Sequence, residues 1–323
     1  MPSDADAGVA KAYWRGKTSL VGLVYERVGT GPPLVLLHGL GHRRQAWYPV
    51  VSRLAPQRDL ILVDLPGHGE SPPLDTTGRS VRQALIGDLI DLLDELGLDY
   101  PHLAGNSLGG WLALEAAASG RAASVTAFSP AGFWRTSRQF SYARAVLRTM
   151  QILGRVGRPL GPALSRKTAG RALIYAVIVS RPSRVSPVQA AGDMAAFLAA
   201  RKAADSILSA ATSFTDFIPA NVPVTIAWGT RDRLLSPRQA LVAKERLPAA
   251  RLAALPGCGH VPMTDDPRLV ADILLRGSRA ESGLVGHLGD GLPAGVRTAL
   301  PRWAARPPVR PRGTGTPLNY FGR

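Results

Sequence analysis

The chain has 323 residues, is 46% hydrophobic, and carries 39 basic against 23 acidic side chains, a net charge of +16. That length can bury a large core, as one big domain or two small ones. The single cysteine, Cys258, excludes an intramolecular disulfide framework and fits a reducing compartment.

In chain order, the opening M-P-S-D-A-D-A-G-V-A has two acids and no apolar core, so no secretory signal is expected there. The run L-V-L-L (Leu34 to Leu37) ends at His38-Gly39, and L-I-L-V (Leu60 to Val63) ends at Asp64. A third run ends at Ala104-Gly105, and others precede Ser129-Pro130 and Gly229. Short continuous apolar runs fit strands buried on both faces, as in a parallel sheet. Helical patterns lie between them. Ser80 to Gln83 reads as a capping box that opens a helix with Leu85, Leu89, Leu92 and Leu96 in register, closed by Gly97. Leu108 to Ser119 is rich in Ala and Leu and is also helical in pattern.

Residues 131–219 break the rhythm, with Ala, Leu and Arg, scattered Pro and Gly, and no clear strand. They read as helices inserted between two strands. The alternation resumes with P-V-T-I-A-W-G, a helix over Pro237 to Leu247, the strand R-L-A-A-L, and a last helix over Pro267 to Leu275. The longest interior apolar run, Ala172 to Val179, is far short of the roughly 20 residues of a membrane span. The expected class is α/β, a doubly wound, mostly parallel sheet from residues 1–130 and 220–276 with a helical insertion at 131–219. Residues 277–323, rich in Gly, Pro and Arg, are expected to be disordered. A cytoplasmic location is expected.

Gly105-Asn106-Ser107-Leu108-Gly109 matches G-x-S-x-G, between an apolar strand pattern and a helix. A sharp strand-to-helix turn needs small residues two before and two after the serine. Ser107 would then project at a helix N-terminus, where free N–H groups favour developing negative charge. A serine hydroxyl needs a base. Of six histidines, His260 lies in a loop after a strand-like run, where an open α/β sheet builds its site. His38 and His68 sit in tight glycine turns and read as structural. Asp232, again in a loop after a strand, is the candidate for orienting His260. Asp64 reads as a structural turn, and Asp265 and Asp266 as caps of the last helix. No metal-ligand spacing occurs among the histidines, and no cofactor is expected.

The chain resembles the α/β-hydrolase superfamily from about Tyr13 to Arg276. The matching residues are His38 to His42, Asp64 to Ser71, Gly105 to Gly110, Gly229 to Asp232 and Gly257 to Pro262. The order Ser107, Asp232, His260 is that of the family's triad. The resemblance implies that residues 131–219 form a cap over the site, and that backbone N–H groups of Leu40 and Leu108 form an oxyanion hole. Dehalogenases and epoxide hydrolases of this fold carry aspartate at the elbow, and Ser107 argues against both. The expected activity is carboxylic-ester hydrolysis on a small acyl substrate. The alternatives are hydrolysis of a carbon–carbon bond in ring-cleavage products, acyl transfer or perhydrolysis, and a non-catalytic ligand-binding member. G-N-S-x-G-G is shared with the carbon–carbon hydrolases, but Val261-Pro262-Met263 after His260 lacks their aromatic residue.

The charge is uneven. Residues 131–219 hold 13 basic and 3 acidic side chains, residues 277–323 hold 7 and 2, and the rest is near balance at 19 and 18. No nucleic-acid motif accompanies this excess, so no specific nucleic-acid partner is expected. Arginines recurring among apolar residues over 133–158 form a basic amphipathic region. The plain reading is a solvated face with its apolar side on the pocket. The sharper one is weak contact with an anionic membrane surface through insertion or tail.

Overall fold

A computed structural model describes residues 22–279 and the backbone of a strand at Trp14–Thr18. The expectation of disorder in the tail falls on residues outside that range from 280 onward. Eight strands form one sheet: β1 (Trp14–Thr18), β2 (Tyr25–Gly29), β3 (Pro33–Leu37), β4 (Asp59–Val63), β5 (His102–Asn106), β6 (Ser124–Phe128), β7 (Val224–Gly229) and β8 (Arg251–Leu255). Their spatial order is β1-β2-β4-β3-β5-β6-β7-β8. From β4 to β8 every pairing is parallel, while β2 runs against both its neighbours. The sheet is therefore doubly wound and mostly parallel, as its runs imply. Leu34–Leu37 and Leu60–Val63 are buried without alternation, because helices cover both faces.

β1 and β2 carry no such run. In β2 the charged Glu26 is buried beside Tyr25 and Val28. It stays there because Arg44 reaches it at 2.8 Å and the Tyr48 hydroxyl donates to it at 2.6 Å. These tertiary partners override the poor strand signal of Y-E-R-V-G.

Flanking the sheet are helices α1 (Tyr48–Leu54), α2 (Val81–Glu95) and α3 (Leu108–Ala118). The capping box of α2 is formed: the Gln83 N–H donates to Ser80 Oγ at 3.2 Å, and the Ser80 N–H to Gln83 Oε1 at 2.9 Å. α3 is buried from Leu108 through Ala117, so it is a core helix; its one charged side chain, Glu115, is buried and paired with Arg82.

Between β6 and β7 the chain is helical and has no strand. The helices are α4 (Ser137–Val156), α5 (Gly161–Arg166), α6 (Thr168–Ile174), α7 (Pro187–Ala199) and α8 (Arg201–Ala210). α9 (Gln239–Arg246), α10 (Pro262–Asp265) and α11 (Pro267–Gly277) follow β7 and β8. The folded core does not stop at Arg276. α11 runs to Gly277, and Ser278 is buried, its hydroxyl and carbonyl accepting from Arg58 at 2.9 and 2.8 Å.

Candidate active site

The sheet reverses its winding at β3, which pairs with β4 on one side and β5 on the other. A crevice at such a switch point, beyond the carboxyl ends of the strands, is where an α/β sheet binds ligands. Leu37 of β3 lies opposite Gly105 of β5, so the loops beginning at His38 and Ser107 leave the sheet side by side. A Cβ built on Gly39 would lie 3.3 Å from that of Ser107.

Ser107 occupies the turn from β5 into α3 with φ 55 and ψ −112, a left-handed backbone that side chains other than glycine rarely adopt. The flanking glycines make that turn possible. A Cβ on Gly105 would overlap the backbone of Gly109, and a Cβ on Gly109 would overlap the Leu37 carbonyl. Ser107 donates its own N–H to Phe128 O at 2.9 Å. Leu108 is the first residue of α3, so its N–H has no intrahelical acceptor.

β7 and β8 are adjacent, and Gly229 pairs with Leu255. The loops beyond them bring Asp232 and His260 together, with His260 Nδ1 2.8 Å from Asp232 Oδ2. The other carboxylate oxygen of Asp232 accepts the N–H groups of Leu234 and Leu235 at 2.9 and 2.8 Å. His260 is buried, and its Nε2 has no hydrogen-bond partner. No hydrogen bond joins Nε2 to the Ser107 hydroxyl. A side-chain amide links the two segments instead: Asn106 Nδ2 donates to His260 O at 2.8 Å and to Phe128 O at 3.1 Å.

A cavity of about 730 Å³, counting its open mouth, is lined by Ser107, Leu40 and Leu108. Its walls are largely apolar: Leu85 and Trp111 from the core, and Phe140, Leu147, Ile207 and Leu208 from the inserted helices. Trp111 is buried and also forms cavity wall.

Burial disfavours the charged form of His38, His42 and His68. His38 Nδ1–H donates to Gly39 O at 2.8 Å, and its Nε2 accepts the Leu65 N–H at 3.0 Å. Burial, with His68 close by, pushes its pKa well below the usual range. Burial lowers His68 to about 4. Burial also lowers His42, against the pull of the Asp193 carboxylate. Asp64 is indeed a turn organiser: it accepts the Arg44 N–H at 2.6 Å and the Glu70 N–H at 2.9 Å and pairs with the Arg44 guanidinium. The Cys258 thiol is buried and raised to about 12, a filler rather than a nucleophile.

Two features escape the sequence. Only Asp266 caps α11, accepting the Leu269 N–H at 3.0 Å. Asp265 is fully buried and accepts the N–H groups of Gly259, Ser180 and Arg181 at 2.7, 3.0 and 2.6 Å. It ties the His260 loop to the inserted helices, because three converging amides outcompete a cap position. Asp193 on α7 is the second: it accepts the Tyr175 hydroxyl at 2.7 Å and lies 3.4 Å from Arg43 Nε. It clasps the insertion to the loop after β3. The one readable sign was that Asp193 is the first acid after residue 131.

Residues 34–273 match the model of the alpha/beta hydrolase family, and the chain belongs to that family. It is 32% identical over 198 residues to an epoxide hydrolase of Mycobacterium tuberculosis, spanning 59% of this chain and 92% of that protein. It is 28% identical over 269 residues to an uncharacterised protein of the same organism, spanning 77% and 75%. A carboxylesterase from Bacillus subtilis superposes with a TM-score of 0.61 at 20% identity, covering 85% of this chain and 94% of that one. A meta-cleavage product hydrolase also gives 0.61, at 19% identity, covering 80% and 98%. The likeness to these two structures establishes the fold alone. The protein is a hydrolase of this family.

Proposed function

We propose that the protein is a serine hydrolase that cleaves a carboxylic ester through an acyl-enzyme, with Ser107 as nucleophile, His260 as base and Asp232 as its orienting carboxylate. One observation carries this reading: a serine in strained backbone opens into an apolar cavity, and the neighbouring Asn106 ties its turn to the loop of a histidine whose one ring nitrogen is fixed by Asp232 while the other is unpartnered. The Asp232 contact requires the proton on His260 Nδ1, which leaves Nε2 with its lone pair.

As Ser107 Oγ attacks the acyl carbonyl, its proton passes to Nε2. The tetrahedral oxyanion is held by the N–H groups of Leu40 and Leu108, each donor being worth on the order of 3 kcal/mol in such sites. The imidazolium returns its proton to the departing alkoxide, and the alcohol leaves. Water then attacks the acyl-enzyme by the same route and releases the acid. The apolar walls suit an acyl chain more than a charged acid. Against an epoxide as substrate stands the elbow residue itself, a serine where such chemistry on this fold uses aspartate.

Carbon–carbon bond hydrolysis is the second reading, favoured by the G-N-S-x-G-G sequence. Here Asn106 is committed to the carbonyls of Phe128 and His260, which gives it a scaffold role independent of that chemistry. Hydrolysis of p-nitrophenyl esters from acetate to palmitate, with fluorophosphonate labelling, tests the proposal. Wild type should hydrolyse and label, and Ser107→Ala should do neither. Labelling of Ser107 without any ester turnover would move the assignment to the carbon–carbon reading.

A further inference from the structure

The inserted helices carry a second surface that faces away from the cavity. α4 buries Ala143, Leu147 and Gln151 against the protein. Helical spacing puts Ile152, Leu153 and Val156 away from that side. An ordinary surface helix is polar there. Here these residues are 62%, 65% and 78% exposed, and Leu160 in the next turn is 62% exposed. Arg148 and Arg155 on α4, Arg158 just beyond it, and Arg166 and Lys167 at the end of α5 are all exposed. None of the five forms an ion pair among the described residues. Nor is there an acid near in sequence: residues 131–192 contain 11 basic side chains and no Asp or Glu.

Charge decides the occupant. The chain's own residues 280–323 hold 6 basic and 2 acidic side chains, so they share the sign of this face. A second copy docked isologously would set arginine against arginine. An anionic surface with apolar depth answers both halves of the pattern: acyl chains take up Ile152, Leu153, Val156 and Leu160, and headgroup charges meet the cations. We propose that the outer face formed by the end of α4 and the segment through Lys167 docks on an anionic lipid bilayer. This assignment is independent of the bond the enzyme cleaves.

Vesicle flotation of the full chain tests it, using phosphatidylcholine alone and phosphatidylcholine mixed with phosphatidylglycerol. Wild type should float with the mixed vesicles, stay down with the neutral ones, and be released by high salt. Arg155→Gln with Arg158→Gln should weaken partitioning by roughly fivefold per charge, from the usual contribution of a basic residue near an anionic leaflet. Ile152→Ser with Val156→Ser should weaken it separately. All four sites are exposed, so thermal melting should confirm unchanged folding. Equal binding to neutral vesicles would overturn the proposal; variants that float with the mixed vesicles as wild type does would also overturn it and leave the C-terminal residues as the contact. A concentration-dependent dimer lost in Ile152→Ser/Val156→Ser, with no flotation, would assign the face to a second copy and overturn it as well.

Discussion

His260 Nδ1 and Asp232 Oδ2 are 2.8 Å apart, and the other carboxylate oxygen is held by two backbone amides. The carboxylate can therefore accept from Nδ1–H without rotating away. Asp232→Asn keeps the shape and both amide contacts are open to its carbonyl, but its NH₂ would then face Nδ1 and favour the wrong tautomer. Ester turnover should fall by roughly 10³- to 10⁴-fold with the fold intact. Steady-state kinetics with a soluble ester checks this, and a loss below tenfold would remove Asp232 from the role.

Ser107 sits at φ 55, where its Cβ is strained. Strain of this kind costs about 1–3 kcal/mol. Ser107→Gly should release it and unfold at higher denaturant than Ser107→Ala, with a difference of about 1 kcal/mol after the entropy gained by the unfolded glycine chain. Both variants should lose fluorophosphonate labelling. Equal midpoints for the two would show that the turn stores no strain at this residue.

Arg44 is fully buried and faces Glu26 at 2.8 Å, Glu70 at 3.2 Å and Asp64. Arg44→Met leaves Glu26 and Asp64 as buried carboxylates without their cation. The expected loss is about 3–5 kcal/mol of unfolding free energy. Urea denaturation reads it directly, and a loss under 1 kcal/mol would mean that water enters the site.

His38 and His68 lie 5.4 Å apart between ring centres with their planes tilted by 55°, both buried and both with lowered pKa, His68 to about 4. Their unfolded forms take up protons near pH 6.5, while the native forms resist. Stability is therefore full above that pH and declines as pH falls from about 6.5 toward 4. For His68 alone the loss approaches about 3 kcal/mol. Thermal midpoints between pH 7.5 and 4.5 should fall, and His68→Asn should flatten the slope. An equally steep slope in the variant would place the acid sensitivity elsewhere.

Much of this site was legible in the residues. L-V-L-L, L-I-L-V and the runs before Gly105, Ser129 and Gly229 fit strands covered on both faces, since they lack the alternation that a solvent-facing side imposes. Gly105, Ser107 and Gly109 announced a turn too tight for side chains. Asp232 and His260 stood out because each follows a strand. β1 and β2 were not legible, because W-R-G-K-T and Y-E-R-V-G carry no apolar run: β1 is an edge strand held by β2, and β2 owes its strand state to β4, Arg44 and Tyr48.

What the amino-acid order determined by itself was local: strand runs, a capping box, a glycine-flanked serine, and an insertion rich in arginine and poor in acid. What only the tertiary structure decided was convergence. It made Asp265 a tie for the His260 loop rather than a cap, and paired Asp193 with Tyr175 and Arg43 across the base of the insertion. It also turned Ile152 and Val156 outward. The physical reason is range. Periodicity and turn chemistry are set by neighbours a few residues apart. Which amide a buried carboxylate accepts, and which helix face is left uncovered, depends on how distant segments pack.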